Sequence, residues 1–171
     1  MKTINGLAGK HRGEMLIVIG RGPSIARLQL DDLDGVVMAI NQTIEQVEAL
    51  HPSQPLYSLQ KDHFYCLPKH ATLLLHDVEA LREIDDLKYE HVYSFNVRRD
   101  FGINWSLPSV VIAEKFANLF GCEKVRYLCC DAVTDGITEA YGHPATKSDD
   151  YLVHGAMVTV HAVLPVEWMR I

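Results

Sequence analysis

A chain of 171 residues with 48% hydrophobic and 22% charged side chains has the size and composition of one globular domain with a sizeable core. That excludes wholesale disorder and collagen-like or solenoid sequence. The net charge of -6 offers no basic footprint for a nucleic-acid backbone, and no apolar run is long enough to span a bilayer. Met1 to Gly6 lacks a signal-peptide apolar stretch, so the expectation is a cytoplasmic protein that binds a small molecule and neither nucleic acid nor membrane.

Residues 1–14 read as an N-terminal extension. Met15 to Ile19 is a continuous apolar run closed by Gly20-Arg21-Gly22-Pro23-Ser24, which suits a strand buried on both faces. Ser24 is placed to cap a short helix through Leu30. Val36 to Ile40 is a second buried strand ending at Asn41, and Thr43 to Leu50 reads as a helix stopped by His51-Pro52. Leu56 to Leu59 is a third strand, followed by the polar set Gln60-Lys61-Asp62-His63.

Ala71 to Leu75 makes a fourth strand, Val78 to Leu87 a charged helix and His91 to Phe95 another strand. The clearest helix runs from Leu107 to Phe120, with Ser106 as N-cap, Pro108 in its first turn and Gly121 ending it. Val125 to Cys130 is a strand closing at Asp131. A polar stretch from Thr134 to Asp150 follows, then a helix from Tyr151 to Leu164 and an edge strand over Val166 to Met169. With no internal repeat or linker, residues 1–171 form a single domain. Strand–helix alternation implies a three-layer, Rossmann-like α/β fold with a mostly parallel sheet.

The four cysteines, at 66, 122, 129 and 130, form no CxxC pair, and the nine histidines are scattered. Neighbouring residues on a strand face opposite ways, so Cys129 and Cys130 are poorly placed for a shared metal or an ordinary disulfide. Buried, inert thiols and no metal site are expected.

In an open parallel sheet, ligands gather outside the carboxyl ends of the strands near a topological switch point. Four expected strand ends carry informative residues: Gly20 to Ser24, then Asn41 and Gln42, then Lys61 and Asp62, then Asp131. The first loop is not a dinucleotide fingerprint, because Ile25 stands where a third glycine belongs and Asn41 where a ribose-binding carboxylate belongs. A glycine-rich turn before a helix nonetheless exposes amides to an anion, here those of Gly22 and Ser24, with the Ser24 hydroxyl as a further donor. Arg21 adds a charge suited to a diphosphate. Asn41 and Gln42 carry both donors and acceptors, fit for a base edge or sugar hydroxyls. Ser106 and Ser109 bring hydroxyls to the same region.

Several residues keep two readings at this stage. Asp131 is either a ribose ligand or a strand-end turn residue. Lys61 and Asp62 either bind ligand or form a solvated ion pair. Tyr141 and His143 either approach a phosphate or pack their loop, and His154 is either a general base or an ordinary helix histidine.

Ile17 to Ser24, with Ala39-Ile40-Asn41-Gln42, resembles the nucleotide-binding half of the bacterial CMP-sialic-acid-dependent sialyltransferases, glycosyltransferase family 42. Trp105 to Ser109 and Phe120 to Asp131 resemble that family's serine-rich loop and its strand with an acidic end. Tyr151-Leu152-Val153-His154 is similar to its Tyr-x-x-His segment. The same frame recurs in motility-accessory-factor and 6-hydroxymethylpterin diphosphokinase-like proteins. Arg21 stands where the sialyltransferases have Asn, and Val133 where they have Tyr. The resemblance implies a glycosyltransferase-like domain that binds a CMP- or UDP-linked sugar, requires no cofactor and uses His154 as catalytic base. Its pterin-kinase side implies instead a Mg²⁺-dependent phosphoryl or pyrophosphoryl transferase with the metal at Asp131 or Asp135. The short chain also suits a non-catalytic nucleotide-binding module, and self-association into a homo-oligomer is compatible with either.

Overall fold

A computed structural model describes residues 2–77, 91–103, 107–131, 164–169 and 171. Among them the strands are β1 (Lys2–Thr3), β2 (Met15–Ile19), β3 (Val36–Ile40), β4 (Leu56–Gln60), β5 (Thr72–His76), β6 (Val92–Phe95), β7 (Lys124–Leu128) and β8 (Val166–Trp168). They form one sheet in the order β1-β6-β5-β4-β3-β2-β7-β8, and every pair is parallel. The helices are α1 (Thr43–Ala49), α2 (Val97–Phe101) and α3 (Ser109–Phe120). This is an α/β domain of Rossmann-like architecture, and the sheet is wholly rather than mostly parallel.

The continuous apolar strands are explained by burial on both sides. Leu16 and Val18 of β2 join Val36, Met38 and Ile40 of β3 in a core closed by Ile112, Phe116 and Phe120 of α3. The alternate residues Ile17, Ile19, Val37 and Ala39 face Ile44 and Val47 of α1, with Ile25 and Leu28, on the other side. Alternation of Cβ direction along a strand divides each apolar run between the two cores. Gly121, at φ 77, ends α3 in the left-handed conformation, and the N–H groups of Gly121 and Cys122 both donate to the Ala117 carbonyl.

From β2 the chain steps outward through β3, β4, β5 and β6, then returns to place β7 on the other side of β2. The order therefore reverses between β2 and β7, where Ile19 is level with both Leu128 and Ala39. That is the switch point, and the loops after β2, β3 and β7 leave the sheet together.

Residues 2–14 are built into the domain. β1 extends the sheet beside β6, Ile4 and Leu7 are buried, and the N–H groups of Gly9, His11 and Gly13 donate to the carbonyls of Leu119, Phe120 and Gly121. The buried His11 ring lies 2.7 Å from the Tyr57 hydroxyl and 3.1 Å from Glu14.

Three expectations change. The segment after Gly22 is a 3-10 helix over Pro23–Arg27, not an α-helix to Leu30. Ile25 and Leu28 are both buried at a spacing of three, and the bonds from Ile25 N–H to Gly22 O and from Leu28 N–H to Ile25 O follow that spacing. The seventh strand stops at Leu128, because Cys129 turns left-handed at φ 55 and gives its carbonyl to Gly22. The long helix begins at Ser109 rather than at Leu107, because Pro108 is its N-cap and is extended at ψ 156; residues 98–100 belong to α2, whose N-cap Asn96 accepts the N–H groups of Arg98 and Arg99. The helices expected over 78–87 and 151–164 fall wholly or almost wholly outside the described residues, and no described helix is long and apolar enough to cross a membrane.

Candidate functional site at the carboxyl edge of the sheet

The loop after β2 is fastened to the strand end across the switch point. Gly20 N–H donates to Leu128 O at 2.9 Å, Gly22 N–H to Cys129 O at 2.7 Å, and Ser24 N–H to Asp131 Oδ2 at 2.8 Å. The expected phosphate cradle is corrected here: the amides of Gly22 and Ser24 are already bound within the protein, and Pro23 has none to offer. Asp131 thus acts as a brace, its carboxylate reaching from the β7 end to the amide of Ser24.

Gly22 has a packing reason rather than a conformational one. Its φ of -69 suits any residue, but a Cβ would overlap the Asp131 carboxylate and come within 2.7 Å of the Cys129 carbonyl oxygen. Arg21 projects from this tight turn with its guanidinium carbon 6.0 Å above the Tyr65 ring, a cation–aromatic contact. Sequence spacing carries no signal for Tyr65, because the ring comes from a separate loop.

Next in the sheet, Asn41 leaves β3 at φ 58. Asparagine tolerates that left-handed position better than most residues, so its backbone role is clear. Its side chain is another matter. Asn41 is 6% exposed, and Oδ1 is buried with no hydrogen-bond partner among the described residues. The adjoining Gln42 likewise has a buried Oε1 without a partner. An unmet buried acceptor costs about 1–3 kcal/mol, so two beside the switch point mark a place where donors are wanted. Thr43 completes the turn by donating its hydroxyl to Ile40 O at 2.8 Å.

Beyond β4, Lys61 is 4% exposed and its Nζ donates to Leu107 O at 2.8 Å while lying 2.8 Å from Asp62. This ties the β4 end to the approach to α3, whose first residue is the half-buried Ser109. The ion-pair reading of Lys61 and Asp62 therefore describes a buried brace, with only Asp62 partly in water. Gln60, noted in the sequence without a role, is wholly buried. Its Nε2 donates to Ser58 Oγ and Cys66 O, and its Oε1 accepts from the amides of Tyr65 and Cys66. A glutamine closing an apolar strand is the signal that could have found it.

The structure thus brings Gly20 to Ser24, Asn41, Gln42, Lys61, Asp62, Ser109 and Asp131 to one edge of the sheet. Ser106, Tyr141, His143 and His154 lie outside the described residues. The cysteines are free, and burial pushes the Cys129 thiol from 9.0 up to about 12, with the Ser24 hydroxyl opposing the rise. Cys130 is pushed up further by burial. Both thiols are kept protonated and unreactive. Among the described residues, no group of three or more His, Cys, Asp or Glu is arranged to hold a metal ion. No protein-family model, curated protein or solved structure matches the chain.

Proposed function

We propose that this chain is a glycosyltransferase-like domain that binds a nucleotide-activated sugar, CMP- or UDP-linked, at the carboxyl edge of its sheet. The observation that carries this reading is the pair of unpartnered acceptors, Asn41 Oδ1 and Gln42 Oε1, buried beside the switch point. A nucleoside supplies the N–H and O–H donors that would satisfy them, either from the base edge or from the ribose hydroxyls. With the Gly22 and Ser24 amides engaged, Arg21 becomes the group on the first loop that meets the phosphate. Asp131 then positions that loop rather than touching the ribose.

His154 keeps the role of general base in transfer, taking the acceptor hydroxyl proton as its oxygen displaces the nucleotide from the anomeric carbon. The test is a thermal-shift screen of CMP, UMP and their sugar-linked forms. A stabilised transition with a cytidine or uridine ligand, lost in Asn41→Gly, is expected. A well-folded protein that none of these ligands stabilises overturns the reading.

A further inference from the structure

We propose that a second cleft, at the amino edge of the sheet, binds a small anion that also carries hydroxyl groups, of the sugar-phosphate class. It lies where β4 and β5 begin, about a strand length (roughly 16 Å) from the carboxyl edge, and has a volume of about 480 Å³. That size falls within the range of small-molecule pockets, about 300–1,000 Å³. Its wall includes Lys10, Glu48, His51, Gln54, His70 and His91. In a chain of net charge -6, one lysine and three of the nine histidines converge on this one cleft.

The hydrogen-bonding balance of the wall is more one-sided than its charges suggest. Glu48 is the only carboxylate among the described residues of the wall, and both its oxygens are engaged. Oε1 accepts the amides of His70 at 2.7 Å and Ala71 at 3.0 Å, and Oε2 accepts that of Lys69 at 3.0 Å. The cleft therefore presents the Lys10 ammonium and the imidazoles of His51 and His70, whose ring N–H groups donate in either protonation state, beside a carboxylate whose two oxygens are already bonded to backbone amides. His51 is held there in the left-handed conformation, at φ 53, with its N–H on the Glu48 carbonyl. Such a conformation is uncommon outside glycine and persists where surrounding structure enforces it.

Gln54 refines the ligand class. Its Oε1 is buried without a partner among the described residues, so the wall holds an unmet acceptor among its donors. An anion without an O–H, such as sulfate, leaves that acceptor unmet, whereas a phosphate ester of a polyol supplies both the negative charge and an O–H.

The test uses glycerol 3-phosphate, sulfate and glycerol as probes, followed through the histidine ring signals by nuclear magnetic resonance. Glycerol 3-phosphate is expected to move the rings of His51, His70 and His91, with affinity reduced at least about fivefold by Lys10→Glu and by His70→Ala. Both side chains are exposed, so both variants are expected to fold. Gln54→Leu is expected to erase the preference for glycerol 3-phosphate over sulfate. Unmoved histidine rings, or affinity indifferent to Lys10→Glu and His70→Ala, overturns the proposal, and equal binding of the two anions by the unmodified protein overturns its hydroxyl part. Asn41→Gly is expected to leave this titration unchanged. If it weakens the titration instead, the probe sits at the carboxyl edge and the second cleft is not the site.

Discussion

The loops after β2 and β4 rise from strands separated only by β3, and in each a buried polar side chain holds the backbone. The Gly20–Ser24 loop is braced from across the switch point by Asp131, with a glycine where the carboxylate presses closest. The loop after β4 is braced from within its own strand by Gln60, whose amide is bonded at both ends. Between them stands Asn41, with the same amide chemistry as Gln60 and a buried oxygen that no described residue meets. Residue type alone does not separate a structural amide from a binding one. The difference lies in whether the fold itself supplies the partners, because an amide already satisfied gains little from a ligand.

The sharpest way to break this contrast is Gly22→Ala. The added methyl overlaps Asp131 and crowds the Cys129 carbonyl, so the first loop must move. A loss of about 3 kcal/mol in denaturant unfolding is expected, at the upper end of ordinary overpacking. Gln60→Ala comes next. It strips the Tyr65 and Cys66 amides of their acceptor and is expected to cost about 2 kcal/mol in the same measurement.

Asn41→Gly is expected to behave in the opposite sense. Glycine accepts the φ of 58 without strain, and the orphaned oxygen disappears, so stability stays within about 1 kcal/mol of the original. Nucleotide affinity, read by calorimetry, is expected to fall about tenfold. A large stability loss in Asn41→Gly with unchanged nucleotide affinity would make Asn41 structural like Gln60 and erase the distinction.

The smallest effect concerns pH and the cysteine thiols. Burial raises Cys66 and Cys122 from 9.0 to about 11 and Cys129 to about 12. The folded state therefore holds these protons more tightly than the unfolded chain. Their contribution is fully present below about pH 9 and is lost progressively as pH rises through the folded values. Denaturation midpoints are expected to fall between about pH 9 and pH 11, with a shallower fall in Cys122→Ala.

Much of the fold was legible because both-face burial writes itself as unbroken apolar runs. Met15 to Ile19 and Val36 to Ile40 match their strands residue for residue, and Gly121 marks the end of α3. β1 was not legible: two exposed residues, Lys2 and Thr3, carry no periodicity, and only their pairing with Tyr93 and Ser94 makes them a strand. The candidate site was legible as a set of polar strand ends. The job of each residue was not, since the same GxGPS turn serves an anion when its amides are open and a brace when Asp131 takes one of them.

The sequence by itself determined the α/β class, the parallel strands and the gathering of polar residues after them, because these follow from local periodicity and chain connectivity. Tertiary structure alone decided which of those polar groups are spent. Asp131 meets Ser24 across 107 positions and Lys61 meets Leu107 across 46, and hydrogen bonds over such separations leave no trace in spacing. The acceptors of Asn41 and Gln42 stay unmet for the same reason: whether a buried atom finds a partner depends on what the rest of the chain brings within about 3 Å of it.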